Sequence, residues 1–417
     1  MNILWLSHFL PYPPKGGALQ RSHYLLREAA RRHRVSLVAL NQRAVLASPE
    51  AVEEATRELG GIVSDLTWFE NPADRSRLRR GLTATLSYFR SAPYDVNWLR
   101  SAALRHHLRE RAKRDRFDLI HVDTLGLLPY ARELAGVPVV LNHHNVESQL
   151  MERRAEREPH PLKRHYFRRE TEKLNRLERQ ACAGVALNLV VSELDGERLS
   201  SLSPGARIRV VSNGVDTEYF RADPRTVQRP RSLVFAGGMN WYPNRDAVLF
   251  FLSEIWPRLI AEDASRSVTI IGRDPPPALL EAARDSRVRV PGFVDDVRPW
   301  MNEAAIYICP IRDGGGTRLK VLDALAMAKP IVATGLAVEG LDLREGAHYL
   351  RAETPAEFVK QIRRLESDAS LAPTLSSAGR ALIEERYAWP VVGLSLEAAY
   401  RAARDVAGTQ QVEGFAV

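Results

Sequence analysis

Cysteine is almost missing from this chain: Cys182 and Cys309 are the only two in 417 residues, each in or beside an apolar stretch. A disulfide framework is excluded, and neither cysteine has the neighbours of a metal site or a nucleophile. No apolar run approaches the ~18 residues that a membrane span needs. The opening residues, MNILWLSHFLPYPP, lack the basic segment of a secretory signal and read as a first strand. A cytoplasmic chain is the expectation. Low-complexity tracts, fixed-period repeats and Asp-x-Asp pairs are also lacking. Aromatic and basic residues are not interleaved as a stacking platform, which argues against nucleic acid as a partner.

What is present is an ordinary globular composition, 45% hydrophobic and 26% charged, in a chain long enough for two domains. Charge is uneven. Residues 1–220 hold 34 Lys and Arg against 26 Asp and Glu, and the remainder holds 25 against 25, so the formal net charge of +8 lies wholly in the first half. Basic runs occur at Arg75–Arg80, Arg105–Arg116 and Arg153–Arg179. Solvated helix faces account for any single run, but the asymmetry between halves points to an anionic partner for the first half.

In order, Asn2–Ser7 reads as a strand, His8–Gly17 as a loop, Ala18–Arg32 as a helix and Val35–Leu40 as a strand, a βαβ unit. Lys15-Gly16-Gly17 then places glycines at the carboxyl end of a strand, where open α/β sheets take ligands. Strands are expected at Asp118–Val122, Val137–Asn142, Val185–Val191 and Arg207–Val211, with helices at Leu125–Leu134, Met151–Ala181 (broken near Pro159) and Glu193–Ser200. The helix holding Leu162–Arg179 reads as exposed and laced with ion pairs. Thr217–Pro230, polar and with two prolines, is the expected linker. A second α/β series follows, with strands at Ser232–Ala236, Val268–Ile271 and Arg287–Val290 and helices at 244–261 and Pro355–Glu366. The tail, Leu375–Ala403, is helical. The expected domains are 1–220, 221–385 and a returning helix and tail, 386–417, with the ligand in a cleft between the first two.

The most informative stretch is Ile306–Thr334, IYICPIRDGGGTRLKVLDALAMAKPIVAT, which reads as strand, glycine loop, helix, strand. Gly314, Gly315 and Gly316 free the backbone for a sharp turn and a close approach to a ligand. Thr317 is the expected N-cap of a helix over Arg318–Ala328. At about 100° per residue, Leu319, Leu322 and Ala326 share a core face, whereas Gly316, Lys320, Asp323 and Met327 share another. A cation and a carboxylate one turn apart, behind free N–H groups, suit a ligand with phosphate at one end and hydroxyls at the other. A capped helix with a solvated Lys–Asp pair is the alternative.

The motif CPIRDGGGTRLKVLDALAMAKPIVAT resembles the nucleotide-sugar motif of the family 4 (group 1) glycosyltransferases, in the subgroup that carries GGGT-R-x-K. Ala236-Gly-Gly-Met-Asn-Trp-Tyr-Pro-Asn244 resembles its first donor loop, Val211-Ser-Asn-Gly-Val-Asp216 its NGVD, and Pro138-Val-Val-Leu-Asn-His-His144 its PVV-x-T-x-H. Tyr387-Ala-Trp389 fits the segment that crosses back onto the first domain. The resemblance implies a GT-B fold, two Rossmann-like domains around a cleft, and retaining transfer from a nucleotide-diphosphate sugar without a metal ion or other cofactor. It implies His144, Lys320 and Asp323 as catalytic residues, and donor binding by Gly16, Gly17, Gly238, Asn240, Asn244, Arg245, Gly315, Gly316, Thr317 and Arg318. The implied acceptor is a glycan or lipid-linked glycan of cell-surface polysaccharide synthesis, reached through weak contact with the anionic inner membrane face. The chain departs from the family at Gly315 and Asp323, where Glu is usual. A non-catalytic nucleotide-sugar-binding protein and a GT-B epimerase are the alternatives.

Overall fold

Short apolar runs alternating with helices make parallel strands, because each crossover returns the chain in the same direction. A computed structural model describes residues 1–314 and 316–407. Gly315, expected among the donor-binding residues, and the end of the tail lie outside the described residues. The chain forms two compact units, Met1–Ser212 with the segment from Val392 onward, and Asn213–Val391.

In the first unit, β1 (Asn2–Ser7), β2 (Arg34–Asn41), β3 (Asp65–Glu70), β4 (Leu119–Val122), β5 (Val139–Asn142), β6 (Leu187–Val190) and β7 (Ile208–Val210) lie in the order β3-β2-β1-β4-β5-β6-β7. In the second, β8 (Arg229–Ala236), β9 (Ser267–Ile271), β10 (Val288–Gly292), β11 (Ala304–Cys309), β12 (Ile331–Ala333) and β13 (Leu350–Arg351) lie in the order β10-β9-β8-β11-β12-β13. The strand pairings are parallel, in register Leu4 with Ser36 and Ile120 in the first sheet and Val234 with Thr269 and Tyr307 in the second. Each sheet reverses its order beside its first strand, between β1 and β4 and between β8 and β11. Crossovers leave to opposite sides there, which opens a crevice at the carboxyl ends of the two strands. The central strands, exemplified by Ile3, Leu4, Ile120, Leu233 and Ile308, are buried within apolar clusters.

Several expectations shift. Leu125–Leu134 is not one helix but three short turns, with Pro129 at the head of the middle one. Strand β3 and the helices Pro49–Gly60, Arg77–Phe89 and Ala102–Arg114 are not among the expected elements, although Ser48, Ser76 and Ser101 cap the three helices by accepting from the N–H groups of Ala51, Arg79 and Leu104. The helix Pro161–Gly184 is not simply an exposed ion-pair helix: Glu170, Lys173 and Glu178 are buried. Lys173 Nζ donates to Glu170 Oε1 at 2.6 Å, and Glu178 Oε1 accepts from the Glu147 N–H at 2.8 Å, capping the helix Glu147–Arg157 from outside. Its Tyr166 and Phe167 are half-buried, Tyr166 stacked near Tyr88 and Phe167 under Arg154.

The units divide at Ser212, not at 220, because the residues after it are tied into the second unit. Val215 N–H donates to Tyr387 O at 2.8 Å, and Phe220 joins the second unit's core. Arg380 donates to the carbonyls of Thr217 (3.1 Å) and Phe220 (2.8 Å). Beyond Val391 the last helix belongs to the first unit, where Tyr400 OH meets His121 Nδ1 at 2.8 Å and Gly393 lies against the buried Glu28. Gly214 fits under Trp389: a Cβ there would sit 2.6 Å from the indole and 3.0 Å from Tyr387 O. Gly214→Ala should therefore destabilise the second unit by about 1–3 kcal/mol, the cost of overpacking. Scanning calorimetry of the full chain checks this, and an unchanged Tm contradicts the tight fit.

Candidate functional site

Both crevices carry polar groups, and each is built from its own unit. In the second unit the helix is Leu319–Ala326, shorter than expected at both ends. Arg318, not Thr317, occupies the N-cap and gives no side-chain cap. Thr317 instead accepts a hydrogen bond from Asn213 Nδ2, so the segments SNGVD and GGGT meet in space. Arg318 donates to the Gly316 carbonyl and steadies the loop. Gly314 at φ 107° and Gly316 at φ 72° hold a left-handed backbone that side chains rarely accept. Met327 is core, contrary to its expected place on the polar face. The helix is buried nearly all round, and only Lys320 and Asp323 are half-open.

Lys320 Nζ donates to Asn244 Oδ1 and lies 4.6 Å over the Phe235 ring. Asn244 is oriented by its own Nδ2, which donates to Gly238 O at 2.8 Å. A Cβ at Gly237 would sit 2.5 Å from Lys320 Nζ and 2.9 Å from Asn244 Nδ2, so glycine lets the loop after β8 lie against both side chains. Burial lowers the Lys320 pKa to about 8, with the Arg318 charge adding to the effect. Burial likewise raises Asp323 to about 8, against the pull of Lys320. Among the described residues no donor satisfies the Asp323 carboxyl. The arrangement suits an anion at the ammonium end and hydroxyls at the carboxyl end.

The remaining expected residues divide. Asn240 is exposed, with its side chain folded toward Gly238. Arg245 is exposed beside Tyr242, 5.8 Å from its ring. Arg273, which sequence reasoning missed, packs its stem against the loop while its guanidinium lies 5.2 Å from the Phe293 ring. A Cβ on Gly238 would sit 3.5 Å from Arg273 Cγ, and Met239 N–H donates to Arg273 O at 2.9 Å. Its place just past the end of β9 was the available signal.

In the first unit, Gly16 adopts φ 107° and is the N-cap of the helix Gly17–Ala30. His144 follows β5 and is half-buried, its Nε2 3.0 Å from the Asp123 carbonyl and 3.4 Å from Asp123 Oδ1. His143 is buried on Asn188 Oδ1 at 3.0 Å, a structural contact. Asp123, unnoticed in the sequence, is fully buried and accepts from Ser22 Oγ at 2.6 Å and Asn142 Nδ2 at 2.9 Å. Burial alone would raise its carboxyl, but His144, then His8 and His121, hold it well below the usual range. His8 Nδ1 lies 4.0 Å away, and burial lowers that ring to about 4.

His8, Asp123 and His144 bring one ligand atom each within 4.8 Å of one another. They fit a metal ion poorly. The His144 nitrogen concerned already faces a carbonyl, and both Asp123 oxygens already accept hydrogen bonds.

Asp323 yields a stability test. Folded, it keeps its proton up to about pH 8; unfolded, it ionises near pH ~4. Its contribution to stability is complete below the lower value and is lost as pH rises through the upper. The stability of Asp323→Asn relative to the parent should therefore rise between those limits, read by denaturant titration. A constant difference contradicts the raised value.

Residues 15–219 match a family described as Glycosyltransferase Family 4, and residues 230–368 match Glycosyl transferases group 1. No curated protein matches the chain. Among solved structures, sucrose-phosphate synthase from Thermosynechococcus elongatus is similar at TM-score 0.67 and 15% identity, covering 96% of this chain and 98% of that one. HepE from Anabaena in complex with UDP matches at TM-score 0.63 and 14% identity, covering 96% and 100%. A glycosyltransferase from Rickettsia africae matches at 0.64 and 12%, covering 96% and 98%. At these identities the likeness shows the fold, GT-B with two Rossmann-like domains.

Proposed function

We propose that this chain, which its two halves place in the glycosyltransferase family 4/group 1 class, moves a sugar from a nucleotide-diphosphate donor to a hydroxyl of a glycan or lipid-linked acceptor. Transfer proceeds with retention and without a metal ion, in the synthesis of a cell-surface glycan. The observation that carries this reading is the enclosed Lys320 ammonium, one helical turn from the unsatisfied Asp323 carboxyl. The structure of the similar HepE holds UDP, and another holds UDP-glucose, which supports a donor of this class.

In this reading the second unit binds the donor. Lys320, oriented by Asn244, stabilises charge developing on the leaving diphosphate, helped by backbone groups of the Gly314–Thr317 loop. Arg273 supplies a second cation beside Gly238, and Asp323 takes the ribose diol. His144 belongs to the first unit and orients the sugar or the acceptor, with Gly16 and Gly17 in the neighbouring loop. The departure from Glu at 323 favours a second reading, a non-catalytic nucleotide-sugar-binding protein. Binding of UDP-, GDP- and ADP-sugars followed by an assay for glycan release separates the two, and donor binding without turnover selects the second.

Lys320→Ala should weaken nucleoside diphosphate binding by about 1.5–3 kcal/mol, the range for a hydrogen bond to a charged group. Binding to the parent protein should also fall as pH rises through about 8, where Lys320 loses its proton. Calorimetric titration at several pH values checks both. Equal affinity in the variant removes the proposed site.

No helix among the described residues is long and apolar enough to cross a membrane. A surface contact has support from the helix Arg77–Phe89, which leaves Leu78 82%, Leu82 55%, Leu86 42% and Phe89 75% exposed. These recur at helical spacing among the exposed Arg75, Arg77, Arg79 and Arg90, an apolar stripe with cations for anionic headgroups. We expect salt-sensitive co-sedimentation with vesicles containing phosphatidylglycerol, weakened by Leu78→Glu with Leu82→Glu. Equal binding to neutral vesicles, or none at low salt, assigns a soluble acceptor.

A further inference from the structure

We propose that Asp123 is the positioning residue of His144: it fixes the imidazole as the Nε2–H tautomer and leaves Nδ1 to meet the substrate hydroxyl. The role of His144 in transfer rests on the function proposed above; the tautomer does not.

The argument begins with a carbonyl. An oxygen of that kind has no proton to give, so the 3.0 Å contact between His144 Nε2 and the Asp123 carbonyl requires the proton on Nε2. The Asp123 carboxylate reinforces it, with Oδ1 3.4 Å from the same nitrogen. In a neutral imidazole the other nitrogen then carries the lone pair. Among the described residues nothing hydrogen-bonds to His144 Nδ1, and the ring is half-buried at the end of β5.

Asp123 is itself held. Ser22 Oγ donates to Oδ2 at 2.6 Å and Asn142 Nδ2 to Oδ1 at 2.9 Å. The Asn142 amide cannot turn over without loss, because its Oδ1 takes Arg21 Nη2 at 2.8 Å and Nε at 3.2 Å. Arg21 is anchored in turn on Ser212 O at 3.1 Å. Four segments of the first unit thus converge on one carboxylate: the end of β1 through Ser7, the helix Gly17–Ala30 through Ser22, the end of β4, and the end of β5. The charged or titratable groups around it are His8, His121, His144, Arg21 and Tyr400, with His143 behind His144. Burial lowers His8, His121 and His143, leaving them neutral at pH 7. His144 is the member of this set that is both oriented by the carboxylate and partly open, which makes its Nδ1 the atom suited to accept a hydrogen bond from a hydroxyl and carry its proton.

The test is the nitrogen-15 spectrum of the full chain with labelled histidine, His144 being assigned by the signal lost in His144→Gln. The expected result at neutral pH is the Nε2–H tautomer in the unsubstituted protein, a reading that needs no transferase activity. Predominance of Nδ1–H, or equal exchange between the two forms, overturns the proposal. Zinc added at equimolar concentration should leave the His8 and His144 signals in place, and coordination shifts at both would assign a metal site instead. In Asp123→Asn the backbone carbonyl still takes the Nε2–H, so the tautomer should persist, but the carboxylate behind it is lost and kcat should drop by about a hundredfold with donor KM unchanged. A folded Asp123→Asn with parental kcat also overturns it.

Discussion

A largely dehydrated ammonium group is the condition that the second unit is arranged to meet. Lys320 sits on a helix buried on nearly every side, and its charge has one amide oxygen and one aromatic face for company. Holding a cation there is costly, which is why its pKa falls to about 8. The surroundings follow from that cost. Glycine at 237 leaves room for the amine, residue 272 must be glycine to admit the Gly237 carbonyl, and the Asn244 amide is pinned to Gly238. A bound anion would return what the ammonium lost by leaving water.

The two crevices share a topology and differ in saturation. In the first unit a buried carboxylate takes donors from Ser22 and Asn142, and the backbone carbonyl of the same residue takes His144. Such a network is rigid, and rigidity suits the orientation of a neighbouring ring. In the second unit Asp323 has no donor among the described residues and Lys320 has one acceptor. A set of groups left short of partners is a cradle. The difference separates a scaffold from a binding site more cleanly than the cavity shape does.

What was legible in the sequence was local. Most strands of both sheets announced themselves as short apolar runs, and the glycine loop before Lys320 announced a close backbone approach. The polar stripe of Lys320 and Asp323 followed from the helical period alone. What was not legible depended on distant pairs. Asp123 lies 101 residues from Ser22, and Asn213 lies 104 from Thr317. Thr317 looked like an N-cap because its type and place were right, but Asn213 claimed its hydroxyl oxygen. Glu178 looked like one charge on a solvated helix, but it serves as the outside cap of another. Arg245 was the cation closest in the chain to the donor loop, and the fold adds the stem of Arg273 from the neighbouring strand end. In each case the sequence chose the right chemistry and the fold chose its partner.

The aspartate at 323 gains meaning from its burial. A glutamate there would carry its carboxyl one methylene farther from the helix backbone. Aspartate keeps the group against the helix, and burial raises it to about 8, so that at neutral pH it is an acid with a proton to donate. A carboxylate can only accept, whereas a carboxylic acid accepts at one oxygen and donates from the other. A vicinal diol offers both functions, so the shorter side chain can still engage both hydroxyls while leaving no net charge beside the sugar. It also leaves Lys320 as the uncompensated charge of the pair, directed at the diphosphate. Under the proposed function, the substitution transfers the electrostatic work of the site from a balanced pair to a single cation.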